Sequence, residues 1–277
     1  MSWRTVGAKD VRDAGRSRTI WLVVGVLGLI FASVIGLDLW TESHLFTDFT
    51  DFVNTVVSIL GFLVPLIALL LGYKSILHER VSGSLVLSLS FPHSRRDLVL
   101  GTFVGRAIVL LVPVLATLVL VGAVGAVLYA PTGSELLGFI WLVVLTALFG
   151  LGFLAVAIGL SMSSANERRV TLGAFGAYLV LVSFWGTLVT AGVQFVYRFR
   201  EGALVPLPDW AFLLSLLQPA EAFNRLFRLG FDTTRGQRYV AAEAPWFVEW
   251  WMALLVLGIW IVVPLVAGWY RFDRADL

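Results

Sequence analysis

Six runs of mostly apolar sequence, at about 19–37, 55–73, 107–130, 136–162, 170–197 and 250–270, contain no Asp, Glu, Lys, Arg or His. A helix needs about 20 such residues to cross the hydrocarbon core of a bilayer. Inside that core every backbone amide must find its partner within the protein, so segments of this length span as helices. The runs therefore set the fold class: an all-α integral membrane protein with six transmembrane helices in one domain, residues 1–277. Only 14% of residues are charged and the mean hydropathy is +0.90, whereas a soluble domain carries about 25% charged residues. The first run follows Arg16 and Arg18 as a secretion signal would. It is too long and has no small-residue cleavage site, so it reads as a retained anchor.

The basic residues orient the spans. The N-terminal stretch holds Arg4, Lys9, Arg12, Arg16 and Arg18, while the first loop has no Lys or Arg and four acids. The second loop holds Lys74, Arg80, Arg95, Arg96 and Arg106, the third ("PTGSE") none, the fourth Arg168 and Arg169, and the C-terminal stretch Arg271 and Arg274. This alternation predicts that both termini and the 74–106 segment are cytoplasmic. The 198–249 segment carries six Arg against six acids. Long segments cross largely regardless of charge, so it is expected outside. Within it, "DWAFLLSLLQPAEAFNRLFRLG" places Phe212, Leu216 and Leu217 on one helical side and Phe223, Leu226 and Phe227 on the next. We read an amphipathic helix pair near the outer interface, with a re-entrant hairpin as the alternative.

Several chemistries are excluded or disfavoured. The chain has no cysteine, so disulfides and thiolate chemistry are out. Ionisable groups in a bilayer cost about 2.5–3.5 kcal/mol at its centre and are kept when they carry ions, protons or chemistry. Their absence counts against a proton- or ion-driven transporter and against an intramembrane hydrolase. A phosphate-cradling loop would read G-x-x-x-x-G-K-[ST], yet the only lysines, Lys9 and Lys74, follow no glycine. His44, His78 and His93 are scattered and suggest no metal site. Nothing points to nucleic acid. Pro65, Pro113 and Pro264, and the GxxxG of Gly101 and Gly105, fit packing between helices before gating or dimerisation. Eleven Trp suit a protein with two membrane–water interfaces. Any energy for uphill movement must come from another polypeptide.

One stretch is neither span nor plain loop: "HERVSGSLVLSLSFPHSRRDLVLGTFVGR", residues 78–106. Leu77, Val81, Leu85 and Leu89 recur every four residues, with His78, Glu79, Ser82 and Ser88 mostly elsewhere around the helix. That pattern predicts an amphipathic helix in the cytoplasmic interface, although "LVLSLSF" also alternates like a strand and Gly83 weakens a helix. Pro92 ends it. Ser94 then suits the cap of a new helix, with Asp97 in its first turn, that leads into the third span.

This stretch resembles the signature region of ABC transporter permeases of the type-two exporter class. In that class a Glu, a Gly followed by a small hydroxyl residue, a Leu-rich turn, a Pro, a Ser-Arg pair and a Gly-Lys recur. Glu79, Gly83, Ser84, Leu85, Leu87, Pro92, Ser94, Arg95 and Gly101 match the pattern. Thr102 stands where the class often has Lys, and nothing is carried over there. The likeness continues through the basic N-terminal stretch, the six spans, the large segment before the sixth span and the closing "WYRFDRADL". Within the class the chain most resembles the nitrous-oxide-reductase maturation permease subfamily.

The resemblance implies a non-catalytic permease subunit in a prokaryotic-type plasma membrane. It implies a dimer with a second permease subunit, identical or different, and a separate ATP-binding cassette ATPase. ATP and Mg would be used by that partner, with no cofactor bound by this chain. It also implies that the cytoplasmic segment between spans two and three couples to the ATPase. Glu79, Arg80, Gly83 and Pro92, with Arg95 and Arg96 close by, are the residues this assigns to coupling. The competing reading is a membrane anchor or assembly subunit for a cytoplasmic ATPase, without transport of its own. A membrane-embedded enzyme would need a buried polar cluster that the spans lack.

Overall fold

The computed structural model describes residues 18–41, 45–77, 95–198, 207–235, 237–239 and 244–274, and among these it is helical, with no strand. In chain order the helices are α1 (Arg18–Trp40), α2 (Phe49–Gly72), α3 (Arg95–Tyr129) and α4 (Gly133–Ser163). Then α5 (Glu167–Tyr178) runs through a π-helical turn (Leu179–Phe184) into α6 (Trp185–Val196). The short α7 (Asp209–Leu216) and α8 (Pro219–Phe227) precede α9 (Trp250–Asp273). Six helical units are long and apolar enough to cross a membrane: α1, α2, α3, α4, the continuous α5–α6 unit, and α9. The protein is a multi-pass integral membrane protein. Six crossings put the start of α1 and the end of α9 on one face, here called the terminal face. The loops after α1, α3 and α6 lie on the opposite, distal face.

Local sequence explains the ends. On the distal face Asp48 caps α2 by accepting from the Asp51 amide at 2.8 Å. Thr132 and Glu135 form a reciprocal capping box at the start of α4, satisfying two amides that a helix leaves without partners. Ala130 takes a left-handed φ of 44° and Pro131 follows it, so α3 stops and α4 returns antiparallel after a short turn. On the terminal face Asn166 caps α5 through the Arg169 amide at 3.1 Å.

The packing centres on α4, with α2 against one side of it and α9 against the other. The α4–α9 crossing is very close. A Cβ on Gly159 would lie 2.4 Å from the Pro264 carbonyl oxygen, and one on Gly268 would lie 2.7 Å from the Gly159 Cα. Small residues at such crossings let backbones approach, which is how helices associate where lipid is as apolar as leucine. Gly101 and Gly105 are buried within the same bundle, so this GxxxG packs inside the chain. Pro65, Pro113 and Pro264 all lie inside continuous helices.

The segment between the fifth and sixth spans is helical, but it goes deeper than an amphipathic pair lying on the outer interface. The turn between α7 and α8 sits against the middles of three spans. Phe223 packs on Phe149 of α4, with ring centroids 4.9 Å apart. Trp260 of α9 donates its indole N–H to the Leu217 carbonyl at 2.9 Å. Gln218 donates to the Leu181 carbonyl, halfway along the fifth span, at 2.7 Å. The pair is a hairpin packed against mid-span residues. The physical reason is polar satisfaction. The end of α7 leaves carbonyls unpaired, and irregular backbone is tolerated at membrane depth only where protein groups satisfy it. Trp185 serves Leu214 at 2.8 Å, Trp260 serves Leu217, and Trp141 serves Leu226 at 2.9 Å. Pro219 opens α8, where an amide would have had no partner.

The distal loops are fastened to the bundle. Asp38, buried at the end of α1, accepts from the Leu45 and Phe46 amides and from the Tyr129 hydroxyl at 2.5 to 3.1 Å. After α8, Thr233 donates to the Asn54 side chain at 2.8 Å, and Arg235 reaches the Asn54 carbonyl and Ser58. Arg225 is buried beside Glu249 and donates to the Val248 carbonyl. Burial lowers the pKa of both Arg225 and Arg235, against a smaller opposing pull from Glu249 and Glu221 respectively.

Candidate coupling site on the terminal face

Beyond α2 the described chain continues through a turn to Leu77, and after the insert it resumes as α3 at Arg95. Both margins are tied to other spans. On the entry side, the Ile76 and Leu77 amides each donate to the Ser161 hydroxyl of α4 at 3.0 Å. Ile76, Leu77 and Ser161 are all at most 2% exposed, so the contact works in a low dielectric. One turn earlier, Gly72 lies so close to α4 that a Cβ there would sit 2.6 Å from the Ala157 side chain. Lys74 pairs with Glu167 at 2.5 Å, which joins the end of α2 to the first turn of α5. On the exit side, the Arg96 guanidinium lies over the Trp269 ring of α9 at 4.9 Å. Leu98 and Val99 are buried one turn on. A displacement of the insert would thus reach α4, α5 and α9 through short, specific contacts.

The fifth span contains a departure from α geometry, the π-helical turn Leu179–Phe184. Such turns often mark functional positions. Below the turn, α5 is held to α2 by Lys74–Glu167 and by Tyr178, whose hydroxyl donates to the Phe62 carbonyl at 3.3 Å. Above it, α6 is held to the hairpin by Trp185. Gln218 holds the turn itself through the Leu181 carbonyl. The arrangement gives an arm anchored at the insert, a pivot at mid-depth, and a second arm anchored to the hairpin.

Sequence comparison agrees with this architecture. A family described as "ABC-2 family transporter protein" matches residues 4–277. The chain belongs to the ABC-2 transporter family. A probable ABC transporter permease protein NosY from Pseudomonas aeruginosa is 31% identical over 287 aligned residues, covering 99% of this chain and 98% of the relative. The protein of the same description from Stutzerimonas stutzeri is 29% identical, covering 97% of each. The chain is therefore a membrane permease of the ABC type, and its family implies an ATP-binding cassette partner.

In this ABC-2 permease, Glu79, Arg80, Gly83 and Pro92 fall outside the described residues, as do the expected amphipathic helix and Ser94. Arg95 is the first residue of α3, Asp97 lies in its first turn, and Arg96 stacks on α9. Sequence reasoning missed Ser161, Lys74–Glu167 as a pair, Gln218 and the π turn. Ser161 and Gln218 are polar residues at depth in or beside apolar runs, a signal that was present. Their partners lie on other elements, 37 or more positions away, which no local pattern reveals.

Proposed function

We propose that this chain is the permease subunit of an ATP-driven exporter, working as a dimer, with the terminal face in the cytoplasm. The distribution of Lys and Arg supports that orientation. The cassette ATPase binds the 78–94 segment and its margins, through Glu79, Arg80, Gly83, Pro92, Arg95 and Arg96. It also supplies the nucleotide site, so ATP and Mg are bound by the partner and this chain catalyses nothing. Closure of two ATPase subunits moves the insert, and the insert moves α4, α5 and α9. The fifth span, with Leu172, Phe175, Leu188 and Phe195 more than half exposed, supplies the face toward the second permease subunit. The apolar spans suit an apolar or amphipathic cargo.

The observation that carries the reading is the tying of both margins of one insert to three other spans. A passive anchor has no need of such a linkage. The test is co-expression with a cassette ATPase encoded beside this chain, extraction in mild detergent and measurement of mass and ATP turnover. A two-plus-two complex with permease-stimulated ATPase is expected. Glu79→Ala and Arg95→Ala should leave the complex inserted but uncouple hydrolysis from transport. A chain that never holds an ATPase, or wild-type coupling in both variants, would overturn the assignment.

A further inference from the structure

A groove of about 280 Å³ opens between the first turns of α3 and the last turns of α9, lined by Arg96, Val99, Leu100, Leu265, Val266 and Trp269. It exists because α3 and α9 both lean on α4 and barely meet each other. Its walls are almost entirely apolar, and Leu100 and Val266 are each more than half exposed. At its rim lies Arg96, stacked on Trp269, with no acidic partner among the described residues. The acids near it, Asp97 and Asp273, have interactions of their own. The Trp269 indole N–H is buried and has no acceptor among the described residues. We propose that this groove binds one anionic phospholipid from the leaflet on the terminal face. Its phosphate sits against Arg96, and one acyl chain fills the slot over Leu100 and Val266.

The order of the groups supports this occupant. Arg96 lies toward the terminal face, and Leu100 lies one helical turn further in, about 6 Å along α3, a spacing suited to headgroup and chain. The volume is slightly below that of a small-molecule pocket, enough for part of one acyl chain and too small for a whole lipid. Charge argues against the chain's own N-terminal stretch. That stretch carries Arg4, Lys9, Arg12 and Arg16 against Asp10 and Asp13 and would set like charge beside Arg96. Basic pockets between spanning helices are recognised sites for anionic headgroups. The inference needs only that the spans cross a bilayer; with Arg96 on a headgroup, the ATPase contact proposed above falls to the other residues of the insert and its margins.

Native mass spectrometry of the delipidated, purified protein tests it, with add-back of phosphatidylglycerol or phosphatidylcholine bearing the same acyl chains. We expect one phosphatidylglycerol to be retained with about fivefold preference. Arg96→Gln should remove the preference while leaving acyl binding, Arg96→Lys should keep it, and Leu100→Trp should exclude both lipids. Equal retention of the two lipids by the native protein, or no change in Arg96→Gln and Leu100→Trp, would refute the site. Because the chain has no cysteine, Leu100→Cys gives a clean second measurement. A disulfide between two Leu100→Cys copies would show the groove to be a face between subunits. One to Arg12→Cys would show it filled by the chain's own N-terminal stretch. Either result overturns the proposal.

Discussion

α4 and the fifth span are both long enough to cross a bilayer and both apolar, yet 61% of an apolar 18-residue stretch of the first is buried inside the protein and only 17% of such a stretch of the second. α4 receives α2, α3, α8 and α9, and its closest crossing is glycine against glycine. The fifth span is held at a few points instead. These are the Lys74–Glu167 pair, Tyr178 on Phe62, Gln218 on Leu181 and Trp185 on Leu214. A helix gripped along its length resists displacement, because packed interiors are not continuously deformable. A helix held at discrete points with a π turn between them can bend at that turn. The comparison separates a post from an arm within one bundle.

The largest expected effect breaks this comparison directly. Phe149 lies at the middle of α4, 1% exposed and packed on Phe153 and Phe223. Phe149→Ala should lower stability by about 3 kcal/mol or more, from lost contacts and the cavity left behind. Phe195, 77% exposed on α6, should cost under about 0.5 kcal/mol when truncated in the isolated chain. Thermal unfolding of both variants in one detergent measures the contrast. Similar losses at both sites would show that the fifth span is gripped as tightly as α4.

Ser161→Ala comes next. It takes the acceptor from two buried amides at once, and each buried donor left unpaired costs about 1–3 kcal/mol. We expect a loss of about 2 kcal/mol or more. Stimulation of the partner ATPase should fall further than stability alone explains, because the insert's entry margin would no longer hold α4. Ser161→Thr, which keeps the hydroxyl, should retain coupling. Stimulation that tracks the melting temperature in both variants would reduce Ser161 to a packing residue.

What could be read from the chain follows the same division. The six spans are local facts, since length and apolarity alone require them. The helix pair at 209–227 was also local. Phe212, Leu216, Phe223, Leu226 and Phe227 repeat at helical spacing, Pro219 divides them, and all five are buried. Its depth was not local. Whether such a face meets lipid headgroups or a protein core depends on indole donors at Trp141, Trp185 and Trp260, on three different spans. The Trp residues were read as interface markers, and these three donate to carbonyls of the 209–227 pair instead. The π turn has no compositional signature in "LVLVSF". Of the candidate coupling site, the basic margin was legible as charge, but Lys74 meets Glu167 only once α2 and α5 are side by side.

Gln218→Leu sharpens the comparison at the pivot. The lost hydrogen bond is worth about 0.6 kcal/mol in a membrane interior, so the protein should remain folded. The Leu181 carbonyl would lose its partner, and the turn should relax toward regular α geometry. Hydrogen exchange at residues 179–184 should then change while exchange along α4 does not. Coupled transport should drop several-fold. Unchanged exchange in the turn, or equal change in α4, would remove the pivot from the mechanism.

The smallest effect on stability belongs to Lys74–Glu167, and that makes it the finest test. The pair is solvent-exposed, and exposed pairs contribute little because water and salt screen them. Lys74→Glu alone should barely move the melting temperature. It would, however, set two carboxylates at the one point where the insert's entry margin meets the fifth span. If the arm is driven there, coupling falls in Lys74→Glu, falls in Glu167→Lys, and returns in the double exchange, with stability flat across all three. A fall that the double exchange fails to repair would mean that Lys74 acts through something other than Glu167. No fall in either single variant would leave α4 and α9 as the routes from the insert, and the post, not the arm, would transmit the movement.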